Sequence, residues 1–190
     1  RDTHHRVKNN LQSVQSLVRM QDLPQAAKLD LQSRFAAMAA MHEHIYKHDR
    51  YQDIDAHDFI PAVVDEVMVA YGSDATVNYE LEHIPVDRDH ATPLALLLSE
   101  LVTNACKYAF ADGGGAITIA LRRGEGDRAV LIVRDSGRGI EDERLKGNSM
   151  GMRLIRGVVA QMNGTFSFHN DGGTVFEADI ALSTGARTDG

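Results

Sequence analysis

Glu100, Asn104 and Lys107 stand at i, i+4 and i+7, so a helix over residues 89–108 carries a carboxylate, a carboxamide and an ammonium on one face. Leu94, Leu98, Leu101 and Ala105 fall on a roughly opposite face that would pack on a sheet. Mg2+ prefers oxygen ligands and keeps several waters, so Asn104 and Glu100 together with phosphate oxygens could hold it. By itself the stripe equally suits a solvated helix face. Asp135 has a more telling context, because the apolar run 130–133 delivers it into Asp135-Ser136-Gly137-Arg138-Gly139-Ile140. A buried carboxylate at a strand end needs a donor, and the exocyclic amine of adenine is a suitable one. Gly137 and Gly139 let the backbone approach a flat base or turn sharply; a simple Asp-Ser-Gly turn reads the same in isolation. Gly151 then opens a second helix, whose free amides and positive end suit phosphates, and Thr174 places a hydroxyl before the last strand. No G-x-x-x-x-G-K-[ST] run occurs, so this is not a P-loop protein.

Phosphoryl acceptance is the second chemistry on offer. The first helix contains His4-His5-Arg6-Val7-Lys8-Asn9-Asn10-Leu11, and imidazole is a nucleophile that is largely neutral near neutral pH. Neighbouring helical residues point about 100° apart, so the two histidines cannot do the same job. His4 falls on an apolar stripe with Val7, Leu11, Val14 and Val18, while His5 points beside it. Asn9 follows His5 by one turn, about 6 Å along the axis, on the same side. Two surface or seam histidines in a helix are the plain alternative.

Several elements must position these groups. Residues 1–22 form one helix, which Asp22-Leu23-Pro24 ends, since proline disfavours helical backbone at the residue before it. A second helix over 25–47 carries the stripe Leu31, Phe35, Met38, Met41 and Ile45. The two make an antiparallel hairpin, and their stripes bury little alone, so pairing of two hairpins into a four-helix bundle is expected; packing on the rest of its own chain is the alternative. A polar linker at 48–57 leads to a helix to about residue 71, with Asp58 as its cap and Pro61 in its first turn. Strands are expected at 76–81, 117–121, 129–134, 165–169 and 174–182, and a helix over 151–162. The helix over 89–108 takes Asp89 as its cap, and the tail from residue 183 is expected to be disordered.

Composition narrows the classes. The 190 residues are 43% hydrophobic with net charge −7, and the basic residues are scattered, which disfavours nucleic acid as the main partner. One cysteine, Cys106, makes neither an internal disulfide nor a cysteine-rich zinc site and fits a reducing compartment. No apolar run approaches the roughly 18 residues that span a bilayer. The chain opens at Arg1 without methionine, in what reads as mid-helix, so a sensor or membrane segment upstream is expected.

Taken together, the four nucleotide segments resemble the GHKL ATP-binding superfamily. Glu100 and Asn104 match its N box, residues 135–140 its first glycine box, 149–154 its second, and 172–176 its last. The resemblance implies an α+β fold: a GHKL (Bergerat) α/β sandwich with a mixed sheet, binding ATP and Mg2+ under a short lid at 141–150. It further implies that Asn104, with Glu100, ligates magnesium, that Asp135 contacts adenine, and that Lys107, Gly137, Gly139, Ile140, Gly151, Met152 and Thr174 complete the nucleotide site. Glu100 would orient a nucleophile or act as base. The segment His5-Arg6-Val7-Lys8-Asn9-Asn10-Leu11-Gln12 is similar to the phosphoacceptor motif of sensor histidine kinases, in the branch related to the HWE kinases. With no tryptophan, and Tyr108 after Lys107, the chain looks like the sister group of HWE proper. Many histidine kinases place an acidic residue directly after the acceptor; here it is Arg6, which leaves Glu100 or Asp2 as the base for His5. The resemblance implies residues 1–50 as a dimerising phosphotransfer hairpin, bearing His5, and 51–190 as the ATP-binding domain. It implies a cytoplasmic homodimer that phosphorylates itself on His5 and passes the phosphoryl group to an aspartate of a response-regulator receiver domain, with Asn9 tied to phosphatase action. The rival readings are a histidine phosphotransfer protein with a degenerate ATP domain, a GHKL protein-serine kinase of the anti-sigma kind, and a chaperone- or mismatch-repair-type ATPase.

Overall fold

The computed structural model describes residues 2–47, 53–110 and 114–184. Two helices come first, α1 (Asp2–Met20) and α2 (Gln25–Lys47). They are followed by β1 (Asp53–Asp55), α3 (Ala56–Tyr71), β2 (Thr76–Leu81), β3 (Pro85–Asp87) and α4 (Arg88–Asn104). A π-helical turn, Ala105–Ala109, extends α4; then come β4 (Ala116–Arg123), β5 (Arg128–Asp135), α5 (Asp142–Lys146), α6 (Met150–Gln161), β6 (Thr165–Asn170) and β7 (Thr174–Ala181). Residues 48–52 of the expected linker and the tail from 185 lie outside the described residues, while 53–57 are not linker but β1 and the start of α3.

Five strands form a mixed sheet in the order β2-β4-β5-β7-β6, with β2 parallel to β4 and the other pairs antiparallel. Alternation sets its faces. Ile117, Ile119, Leu121, Leu131, Val133, Phe176, Ala178 and Ile180 are buried, whereas Arg134, Glu177 and Asp179 face solvent. The buried face is covered by α3, α4 and α6 through Phe59, Val63, Leu94, Leu98 and Ile155. Each such leucine or phenylalanine contributes about 1.5–3 kcal/mol by leaving water. The result is the one-faced α/β sandwich that the family resemblance implies.

Two short strands escape the sequence reading. β1 and β3 pair antiparallel, Asp53 to Asp87 and Asp55 to Pro85. Three residues are too few to show alternation. The pairing moves both helix caps upstream: Asp55, not Asp58, accepts from His57 N at 2.9 Å, and Asp87, not Asp89, accepts from His90 N at 2.9 Å. Each cap is the residue where a paired strand ends in extended backbone, the geometry an N-cap requires. Pro61 therefore lies in the second turn of α3, not its first.

In α2 the most buried positions are Ser33, Ala37 and Met41, which face α3 and α4. The Leu31, Phe35 and Met38 side of the expected stripe is half-exposed. Small residues on the buried side let the helices approach closely. α2 thus packs more on the nucleotide half of the chain than on α1, and α1 leaves Val14, Leu17 and Met20 exposed.

Candidate nucleotide site

Asp135 is the hinge of the site. At the end of β5, its Oδ1 accepts from Gly137 N at 3.0 Å and from Thr174 N at 3.0 Å, so the glycine loop and the start of β7 hang from one oxygen. The carboxylate lines a cleft with Leu101, Asn104, Tyr108, Gly139, Ile140, Thr174 and Phe176. Two glycines are obligatory for this packing. Gly173 has φ +142°, and a Cβ on it would lie 1.9 Å from the Asp135 carbonyl oxygen. Gly139 has φ +89°, and its Cβ would come 2.6 Å from Asn170 Oδ1.

Asn170 was not among the residues expected in the site. Its Oδ1 accepts from Ile140 N at 2.9 Å and its Nδ2 donates to Ile140 O at 3.0 Å, which braces the glycine loop against β6. In sequence it reads only as part of the Asn-Asp-Gly-Gly turn, because a bond to a residue thirty positions away leaves no periodic trace.

The polar face of α4 forms the other wall. Glu100 is buried at 4% exposure, not solvated, and its Oε2 would be 3.0 Å from a Cβ on Gly151, with Asn104 Oδ1 at 4.0 Å. The start of α6 is therefore pressed against the Glu100–Asn104 face, where its amides and dipole favour anions. Ser149 caps α6 by accepting from Met152 N at 3.2 Å, and the Met152 side chain is a core residue. Glu100 Oε1 accepts from Arg34 Nε of α2, and Lys107 Nζ donates to Asp30 Oδ2 of the same helix at 3.1 Å. Burial works against the charge on Arg34, but the hydrogen bond and charge of Glu100, with Asp30 behind them, outweigh it and raise the guanidinium's pKa. Lys107 follows the same pattern: burial opposes its charge, and Asp30 overrides it. Lys107 thus points to α2 and does not line the cleft.

The helix ends in a π-turn, where Lys107 Nζ lies 5.3 Å from the centroid of the Tyr108 ring. Its wider turn changes the phase of the last residues of the helix, a feature frequent at functional sites. Tyr108 lines the cleft, and Arg144 of α5 lies over its ring, Cζ 3.4 Å from the centroid. Burial depresses the Arg144 pKa, with Tyr108 and Glu141 pulling the other way. With this stack in place the cleft encloses only about 30 Å³, little more than the room for one water.

Asn104, Asp135, Gly139, Ile140 and Thr174 therefore meet in one cleft, with Gly137 bonded to Asp135, and Glu100 and Gly151 stand side by side at the α6 end. His5 and Asn9 lie in α1, and Asn9 is exposed. Among the described residues no group of three or more His, Cys, Asp or Glu could hold a metal by itself. An Asn–Glu pair beside a helix N-terminus fits an ion that arrives with phosphate oxygens of its own.

Residues 89–184, half of the chain, match the family of histidine kinase-, DNA gyrase B- and HSP90-like ATPases. The chain belongs to this family. It is a family of ATPases, so ATP is the nucleotide the cleft implies. Residues 2–71 match the histidine kinase family, so the ATPase domain of this histidine kinase core follows a histidine kinase helical segment. A sensor histidine kinase of Mycolicibacterium smegmatis, PdtaS, is 29% identical over 92% of this chain and 38% of its own length. Blue-light-activated histidine kinase 2 of Erythrobacter litoralis is 28% identical over 96% of this chain and 56% of its own length. The chain thus spans from over a third to over half of the curated relatives it matches. A solved histidine kinase domain of an Erythrobacter litoralis blue-light activated histidine kinase shares the fold, with TM-score 0.72 and 22% identity over 96% of this chain and 95% of that one. In this histidine kinase core no described helix is long and apolar enough to cross a membrane.

Proposed function

We propose that this chain is the kinase core of a longer cytoplasmic sensor protein, that it phosphorylates itself on His5, and that it passes the phosphoryl group to a response-regulator aspartate. The observation that carries the nucleotide half of this reading is Asp135: a carboxylate pinned by amides of Gly137 and Thr174, facing a cleft that Asn104 also lines. With Oδ1 committed to those amides, the second oxygen is left to accept from the adenine amine. Mg2+–ATP supplies the phosphoryl group. Asn104 and Glu100 would offer oxygen ligands to the metal, which would neutralise phosphate charge; the Gly151 end of α6 would present amides to phosphate, and Thr174 would place its hydroxyl near the base. Ile140 and Met152 complete the box residues, and Lys107 reaches phosphate only once it leaves Asp30. A ring nitrogen of His5 forms the N–P bond as ADP departs, and Glu100 or Asp2 takes the histidine proton; positioning and charge neutralisation do most of the work.

On this reading residues 1–50 form the phosphotransfer hairpin and 51–190 the ATP-binding domain. Two copies pair through the exposed α1 stripe. Asn9, exposed one turn beyond His5, orients water toward the regulator's aspartyl-phosphate. The deciding experiment incubates the protein with labelled ATP and Mg2+, treats it with acid and maps the label. Acid-labile label that is lost in His5→Gln, with ATP affinity unchanged and labelling retained in His4→Gln, is the expected result. Acid-stable label on serine, or label that survives His5→Gln, refutes the assignment.

A further inference from the structure

The segment 141–149 carries the chain from the glycine loop to α6. Its helix, α5, contributes no buried residue, so polar contacts decide where it runs. Two arginines make them. Arg144 lies over the Tyr108 ring, within the cleft lining. Arg156 of α6 acts at the other end: its Nη2 donates to the Gly147 carbonyl at 2.8 Å and to Asn148 Oδ1 at 2.9 Å. Gly147 and Asn148 are not among the cleft-lining residues, so this tie stands beside the cleft and not in it.

Helix geometry explains the reach. Arg156 follows the cap residue Ser149 by seven positions, about two turns, so both stand on one side of α6. Side chains of a helix lean toward its N-terminus, which carries the guanidinium back to residues 147 and 148. Ile155, next to Arg156, is fully buried, and Val158 and Val159 are nearly so, so the arginine is rooted on a fixed part of the core. A charged donor makes a stronger bond than a neutral one. Its effect falls on the short link 147–149, just before the first amides of α6. There Met152 N donates to Ser149 Oγ at 3.2 Å, and a Cβ on Gly151 would lie 3.0 Å from Glu100 Oε2. The start of α6 is thus set from two sides, by packing against Glu100 and by the Arg156 tie.

We propose that Arg156 is a positioning residue for phosphate binding: it holds the link 147–149 so that the amides at the Gly151 end of α6 face the phosphates of ATP, without touching the nucleotide itself. The inference rests on the nucleotide site proposed above, and it divides that site in two. The base half hangs on Asp135, Gly137 and Thr174; only the phosphate half depends on the link.

The test compares the parent chain with Arg156→Gln, Arg156→Lys and Asn148→Ala. Calorimetry in Mg2+ reads the affinity for ATP and ADP, ligand-observed NMR reads that for adenosine, which has no phosphate, and amide hydrogen exchange follows residues 147–153. In Arg156→Gln the affinity for ATP and ADP is expected to fall about tenfold, the order of one lost charged hydrogen bond, with adenosine within about twofold of the parent. Exchange in 147–153 is expected to accelerate. Arg156→Lys, which keeps a cation able to reach the Gly147 carbonyl, falls between the two. Asn148 is exposed, so Asn148→Ala leaves the core intact while removing one acceptor; ATP affinity is expected to fall in it too, by a smaller factor. An equal fall for adenosine and ATP makes Arg156 a general packing residue and overturns the proposal. ATP affinity in Asn148→Ala at or above the parent's overturns it as well, since a freed guanidinium would then be acting on phosphate directly; this variant decides alone if Arg156→Gln does not fold. Parent-like ATP binding in Arg156→Gln is a third refutation. A parent chain that binds neither ATP nor adenosine overturns the nucleotide site instead.

Discussion

Asp135 holds the loop that would in turn hold the base, which makes single atoms here decisive. Asp135→Asn keeps an oxygen for the Gly137 and Thr174 amides but turns the other acceptor into a donor facing the adenine amine. Losing a charged hydrogen bond of this kind costs about 1.5–3 kcal/mol, so calorimetry is expected to show ATP affinity falling by about tenfold or more; affinity within twofold of the parent removes Asp135 from base recognition. Asn170→Ala leaves the Ile140 N–H and carbonyl without partners in a half-buried loop. That costs about 1–3 kcal/mol, read as a Tm lower by roughly 2–10 °C for a chain of this size, together with weaker ATP binding as the Gly139 wall loosens. Gly173→Ala forces a side chain into left-handed backbone and onto the Asp135 carbonyl, and loss of nucleotide binding is the expected result.

Among the elements, α4 depends on how its first turn is tied down. Asp87 Oδ1 accepts from His90 N at 2.9 Å and pairs with His90 Nδ1 at 2.5 Å, while Oδ2 accepts from Thr184 N at 3.1 Å. One carboxylate thus joins a helix start, a strand end and the end of the sheet. Burial alone would raise its pKa, but the bonds from His90 and Thr184 hold it below the ordinary carboxylate value of 3.8. A depressed folded pKa means the stabilisation is complete above that value and is lost as pH falls through the folded pKa. Asp87→Ala is therefore expected to lower stability at pH 7 by about 1–2 kcal/mol, as for other lost N-caps, with a difference from the parent that shrinks below about pH 4. Thermal melts across pH 3–7 measure it; a constant difference across that range assigns the loss to packing instead.

At the scale of the whole molecule, α1 is the described helix that leaves the most large apolar side chains exposed. Val14, Leu17 and Met20 are 38%, 57% and 80% exposed, and they run along one side of a helix that packs on α2. Serine at positions 17 and 20 removes apolar surface without touching the sheet core. The expected outcome is a molar mass by light scattering that falls from dimer toward monomer at low micromolar concentration, with the Tm of the nucleotide domain nearly unchanged. A parent dimer that survives both substitutions places the contact on another face of the hairpin.

Wherever a local pattern repeats, the sequence alone was enough. The bounds of α2 and β2 and the alternation that buries Ile117, Ile119 and Leu121 are legible because periodicity and breakers act over neighbouring residues. The order of Glu100, Asn104, Asp135, Gly139 and Gly151 pointed to a nucleotide site through its resemblance to the GHKL boxes, because such motifs are carried by residue type and spacing. Tertiary structure decided what depends on distant partners. β1 and β3 exist only as a pair, and their pairing chose Asp55 and Asp87 as caps. Asn170 matters because folding brings it to Ile140. Glu100 and Lys107 read as a polar stripe for magnesium and phosphates or as a solvated face; packing buries Glu100 against Arg34 and ties the exposed Lys107 to Asp30 of α2. Helical spacing reports which residues share a face; which element lies on that face is set by packing between segments far apart in the chain.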